Sequence, residues 1–120
     1  MASKTVKTRM GKRGETRVAF RLFLRGYRII ERNYTYGHKE IDLIARKGRT
    51  LAFIEVKTRT DAVSSAPASA VTSAKRRNVI AAARGYCLTH DASDMNIRFD
   101  VAEVPVKGRI SYIENAFSSD

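Results

Sequence analysis

The chain carries a single cysteine, Cys87, among its 120 residues. That excludes an internal disulfide and a cysteine-rich metal site. Long apolar runs are missing too, since none approaches the ~20 residues that span a bilayer. The basic N-terminus is not followed by an apolar core, so it does not read as a secretory signal. Acidic residues are scarce, with 12 Asp and Glu against 23 Lys and Arg. There is no internal repeat, no phosphate-cradling glycine loop and no serine or cysteine nucleophile constellation. These absences leave one folded domain over residues 11–120, preceded by a flexible basic arm over residues 1–10. The cytoplasm is the default location.

What is present, first, is positive charge. A net charge of +11 favours polyanionic partners, nucleic acid above all. The bland alternative is a solubilising surface. The excess is concentrated: Lys4, Lys7, Arg9, Lys12, Arg13, Arg17, Arg21, Arg25 and Arg28 are opposed over that stretch only by Glu15. Membrane binding fits less well, because the basic segment lacks the aromatic-rich face of an interfacial anchor.

The pattern from Lys12 to Arg25 is helical, with Glu15, Val18, Ala19, Leu22 and Gly26 on one face. Arg13, Arg17, Arg21 and Arg25 form a second stripe at i, i+4 spacing. Gly26 is placed to end the helix in a left-handed cap. Phe20 and Leu24 lie off the apolar face. They pack on another element or meet a second copy of the chain, and only a contiguous patch would be informative. Strands are expected over Tyr27–Tyr34, His38–Ala45, Leu51–Arg59, Ile97–Val104 and Arg109–Ile113. Asp61–Ala66 reads as a loop and Pro67 as the first-turn residue of a second helix. That helix has Val79, Ile80, Ala83, Tyr86 and Cys87 on its apolar face and Lys75, Arg76 and Arg77 near its start. The order is α-β-β-β-α-β-β, an α/β fold with a mixed sheet flanked by helices.

The second and third strands hold charges inside apolar runs, as Glu40-Ile41-Asp42-Leu43-Ile44 and Phe53-Ile54-Glu55-Val56-Lys57. Burying such groups is costly unless something pairs with them. Alternation puts Glu40, Asp42 and Ile44 on one face and Phe53, Glu55 and Lys57 on one face. With the turn centred on Lys47-Gly48, Asp42 opposes Phe53 and Glu40 opposes Glu55. Asp42 and Glu55 are then diagonal neighbours, roughly 7–8 Å apart at their α-carbons. Two carboxylates at that range can share a cation, and oxygen donors suit Mg²⁺ or Mn²⁺. The Val56 carbonyl offers a further oxygen, and Lys57 lies beside the pair. Glu15, on an apolar helix face, either joins this acidic set or serves as an N-terminal helix charge. The plain alternative for Glu55 and Lys57 is an ion pair on a solvated sheet face.

Asp42 followed by Glu55-Val56-Lys57 resembles the core of the PD-(D/E)XK nuclease superfamily. Gly11, Gly14, Glu15, Ala19, Gly26-Tyr27, Arg32-Asn33-Tyr34, Glu40-Ile41-Asp42-Leu43-Ile44-Ala45, Phe53 to Arg59, Lys75-Arg76-Arg77 and Arg98-Phe99-Asp100-Val101 together look like the YraN family. The resemblance implies a restriction endonuclease-like core close in layout to Holliday junction resolvases. It implies metal binding by Asp42 and Glu55, with Glu15 joining them, and a catalytic Lys57. It also implies a phosphate contact for Lys75 and allows a homodimer. Lys39 departs from the glycine usual in the family before Glu40-Ile41-Asp42.

The leading expectation is therefore a metal-dependent endonuclease acting on DNA, branched DNA included. The arginine stripe and Lys75, Arg76 and Arg77 would hold phosphates, which gives affinity without sequence choice. The rivals are a non-catalytic nucleic-acid-binding module and a protein-interaction domain with a basic surface. His38, His90 and Asp91 read as surface or loop residues and Cys87 as a small buried hydrophobe. Tyr34 and Tyr36 either stack on bases or pack. Asp100 either faces the acidic set or balances a charge elsewhere.

Overall fold

A computed structural model describes residues 2–59 and 72–119, with α1 side chains described from Lys12 onward. The elements are α1 (Ala2–Leu24), β1 (Arg28–Tyr36), β2 (Lys39–Lys47), β3 (Thr50–Arg59), α2 (Ser73–Thr89), β4 (Asn96–Pro105) and β5 (Ser111–Phe117). The succession is the expected one. α1 begins well before Lys12, reaching back to Ala2 through the stretch read as a basic arm. Asp61–Ala66 and Pro67 lie outside the described residues. α2 opens at Ser73, where the Thr72 hydroxyl accepts the Lys75 amide at 3.2 Å as an N-cap.

The sheet order is β1-β2-β3-β4-β5. Only β3 and β4 run parallel, because α2 carries the chain back between them. β3 is central and covered on both faces, so Leu51, Ala52, Phe53 and Ile54 are all buried. Alternation along it divides the core. Leu51 and Phe53 pack with Val79, Ala82, Ala83 and Tyr86 of α2. Ala52 and Ile54 pack with Val18 and Leu22 of α1. Among the described residues no helix is long and apolar enough to cross a membrane.

α1 stops as its sequence directs. Gly26 has φ +92, the Gly26 amide donates to the Phe23 carbonyl and the Tyr27 amide to the Leu22 carbonyl. This is a Schellman cap, and Tyr27 packs in the same cluster as Leu22. Phe20, Phe23 and Leu24 stand on the outer face, each more than 60% exposed.

The β2–β3 turn lies one residue later than expected. Lys47 pairs with Thr50, and Gly48, at φ +60, takes the first loop position. The register shifts by two, so Ile44, not Asp42, opposes Phe53. β5 also runs later than expected, through Phe117.

Asp100 is wholly buried and does not face the acidic set. Its carboxylate accepts from the Arg98 guanidinium at 2.9 Å, the Tyr112 hydroxyl and the Asn115 amide at 2.9 Å. Arg98 also reaches the Tyr27 hydroxyl at 2.6 Å. The group ties β4 and β5 to the end of α1. Removing one partner of a buried pair strands the other. Asp100→Ala is expected to destabilise the fold by about 3 kcal/mol or more in urea denaturation. A loss within about 1 kcal/mol would show that the network contributes little.

Candidate functional site

The strands β2 and β3 part at the acids. Their pairing runs from Lys47–Thr50 to Leu43–Ile54, and one further step brings Asp42 level with Glu55. There the Val56 amide donates to Asp42 Oδ2 at 2.7 Å. A side-chain carboxylate thus stands where the ladder would place a backbone carbonyl. Alternation fails at the same point. Ile44 and Ile41 both pack on the α2 side, while Leu43 and Ala45 pack on the α1 side. Strict alternation would send Ile41 with Leu43. The expectation that Glu40, Asp42 and Ile44 share one face is therefore corrected. The backbone pivots so that the Asp42 side chain enters the interstrand gap.

Glu55 is buried at 7% exposure and projects to the α2 side, where Lys75 Nζ sits 3.4 Å from Glu55 Oε2. Lys57 is half-buried, and its charge favours ionised Glu55. Glu15, also 7% exposed, comes from α1. Its Oε1 accepts no hydrogen bond among the described residues, and Arg32 stands 3.8 Å away. Glu40 is exposed and acts on Glu15 and Glu55 through its charge.

The site holds more negative charge than its own lysines balance. Burial, then the charge of Glu55, pushes the Asp42 carboxyl up to about 7. Burial likewise raises Glu55 and Glu15, with Lys75 opposing the shift at Glu55 and Asn33 and Arg32 opposing it at Glu15. Of the expected set, Asp42, Glu55, Lys57 and the Val56 backbone come together. Glu15 is near enough to raise Asp42, but stands back with Arg32. Among the described residues no three acidic, histidine or cysteine side chains close into a metal cage. Two carboxylates and a backbone oxygen still suit Mg²⁺ or Mn²⁺, because such ions keep several waters.

The expected cation set is divided. Arg17 donates to the Pro105 carbonyl at 2.6 Å and the Gly108 carbonyl at 2.7 Å. Arg21 lies over the Tyr112 ring and Arg76 over the Phe117 ring. Arg13, Arg25, Lys75 and Arg77 are exposed. Lys75 as the partner of Glu55 was not foreseen, and neither was Arg32 as the partner of Glu15. Their positions in Arg32-Asn33-Tyr34 and at the second helix start were the only signals.

A family model described as uncharacterised protein family UPF0102 matches residues 14–104. The chain belongs to this family. A UPF0102 protein of Chlorobium chlorochromatii is 44% identical over 117 residues, covering 90% of each chain. The UPF0102 protein GSU0650 of Geobacter sulfurreducens is 42% identical over 112 residues, covering 90% of this chain and 88% of its own. Among solved structures, Hjc, a Holliday junction resolvase of the archaeal hyperthermophile Archaeoglobus fulgidus, superposes with a TM-score of 0.57. That match spans 86% of this chain and 75% of the resolvase at 20% identity. The UPF0102 chain thus has the nuclease-like fold that the resolvase shows.

The raised carboxyls give a pH signature. Asp42 titrates near 7 when folded and near 4 when unfolded, so its protonated form favours the fold. That contribution is complete below about pH 4 and is lost as pH rises through about 7. In metal-free buffer, the stability of wild type relative to Asp42→Asn should fall by roughly 2–3 kcal/mol from pH 5 to pH 8. A difference that stays flat over this range would contradict the buried, charge-crowded site.

Proposed function

We propose that this UPF0102 protein is a metal-dependent endonuclease that hydrolyses DNA phosphodiesters, with branched DNA as its substrate class. The observation that carries the reading is that Asp42 stands level with Glu55 where β2 and β3 part, with burial raising both and Lys57 and Lys75 beside Glu55. Buried Glu15 nearby, whose Oε1 meets Arg32 only at 3.8 Å, adds to the demand for positive charge. The resolvase-like fold supports the same reading.

Asp42, Glu55 and the Val56 carbonyl would hold Mg²⁺ or Mn²⁺, with Glu15 as an outer acid. In an extended strand a residue's N–H and C=O point to the same neighbour, so the Val56 carbonyl faces the gap that its amide faces. When bound, the ion supplies a Lewis acid and a readily ionised water. Lys57 stabilises the charge that grows on the phosphoryl oxygens. Lys75, at the mouth beside Glu55, meets an incoming phosphate. Arg13, Arg25 and Arg77 add sequence-independent affinity for the backbone.

Among the described residues no third carboxylate closes the site, which favours one rival, a DNA-binding module without turnover. Branched, duplex and single-stranded DNA offered with Mg²⁺ or Mn²⁺ separates the two. Cleavage is expected, and it should fall at least ~100-fold in Glu55→Gln and Lys57→Ala with DNA binding retained. Tight binding of every substrate with no cleavage would establish the module instead. A thermal-shift series gives an independent readout. Mn²⁺ should raise the Tm of the wild type at pH 8, and should not raise that of Asp42→Asn.

A further inference from the structure

The turn that brings Asp42 to Glu55 has a counterpart one strand further out. In β1, Arg32 lies on the α1 side, where its guanidinium donates to the Thr16 hydroxyl at 3.0 Å and stands 3.8 Å from Glu15. Tyr34, two residues on, lies on the α2 side, its ring centred 5.3 Å from that of Tyr86. Strict alternation would send both the same way. β2 departs from alternation across the same step, from Leu43 on the α1 side to Ile41 on the α2 side. The two strands stay in register through it, since Arg32 pairs with Leu43 and Tyr34 with Ile41. Asn33 therefore stands opposite Asp42.

Asn33 has φ +54, in the left-handed region. In extended backbone the faces alternate, so a strand that changes side over two residues needs one residue out of the extended region. Left-handed backbone costs an L-residue roughly 1–2 kcal/mol, and asparagine is among the few that visit it. Glycine adopts it freely, whereas a β-branched residue there is an outlier. The Asn33 side chain also hydrogen-bonds Glu15. The residue is exposed, so changing it leaves the core intact.

We propose that Asn33 is a positioning residue of the candidate cation site: its left-handed backbone turns β1 and β2 together, which carries the Asp42 carboxylate off the ladder and onto the Val56 amide. Its bearing on cation binding rests on the metal reading above, whereas its placing of Asp42 does not. With Asn33 relaxed to extended backbone, β2 would continue along β3. The Val56 amide would then meet the Ile41 carbonyl, the next acceptor in the antiparallel ladder.

The test compares Asn33→Gly, which keeps the left-handed backbone, with Asn33→Ala and Asn33→Val, which oppose it in increasing degree. Scalar couplings across hydrogen bonds in ¹³C,¹⁵N-labelled protein, recorded in EDTA, identify the acceptor of the Val56 amide. Wild type and Asn33→Gly should couple Val56 to the Asp42 carboxylate carbon. Asn33→Val should lose that coupling or move it to Ile41. The Asn115 amide should keep its coupling to Asp100 throughout, as a check that the fold is retained. Mn²⁺ affinity, read from the paramagnetic resonance of the free ion, should fall ~10–100-fold in Asn33→Val and stay within ~3-fold of wild type in Asn33→Gly. Should Asn33→Val not fold, Asn33→Ala carries the comparison, with the same signs and smaller changes.

Unchanged Val56 coupling and Mn²⁺ affinity in Asn33→Ala and Asn33→Val would overturn the proposal. Equal losses in Asn33→Gly would assign the effect to the Glu15 contact and overturn the backbone role. A wild type that shows the Asp42 coupling but binds no Mn²⁺ would sink the metal reading alone, and the couplings of the variants would still decide the turn.

Discussion

The hydrogen bond from the Val56 amide to Asp42 Oδ2, 2.7 Å long, is the contact on which the site depends. A central strand cannot leave its neighbour without orphaning backbone groups, and orphaned buried amides are costly. Here the carboxylate replaces the missing backbone acceptor, so β2 can turn away from β3 in the middle of the sheet. That parting opens the gap and brings Asp42 level with Glu55. It also explains why Ile41 rejoins the α2 side of the core instead of following Leu43.

The gap creates a charge problem that the fold leaves partly open. Lys75 and Lys57 oppose the charge of Glu55, and Arg32 approaches Glu15 only to 3.8 Å. Burial still pushes all three acids upward. The contrast with Asp100 is instructive. That carboxylate is more deeply buried, yet Arg98, Tyr112 and Asn115 meet both of its oxygens. A buried acid that serves the fold is fully bonded, whereas Oε1 of the buried Glu15 accepts no hydrogen bond among the described residues. A chain with a net charge of +11 thus buries a cluster of acids against one strand edge of its sheet.

Much of this was legible in the sequence. The element order followed from apolar periodicity, and the Gly26 cap from a glycine at the end of a helical pattern. The pairing of Asp42 with Glu55 was legible because charges interrupt two apolar strands joined by a short turn. The register was misread by two residues because Gly48 takes the first loop position, with Arg49 beside it. Single-face alternation for Glu40, Asp42 and Ile44 failed because a side-chain acceptor, invisible to periodicity, redirects the strand. The Lys75–Glu55 pair joins residues separated by the 60–71 segment, so spacing carried no signal. The arginine stripe was legible as a stripe, but its division between carbonyl contacts, ring contacts and open surface depends on β4 and β5.

The central claim is that Asp42 and Glu55 form a cation site at the parting of β2 and β3. Paramagnetic broadening tests it most directly. Sub-stoichiometric Mn²⁺ would be added to ¹⁵N-labelled protein at pH 8 and the amide signals followed. The account predicts that Asp42, Glu55 and Val56 broaden first, and that Asp42→Asn abolishes the effect. Broadening centred elsewhere, or unchanged in Asp42→Asn, would contradict it.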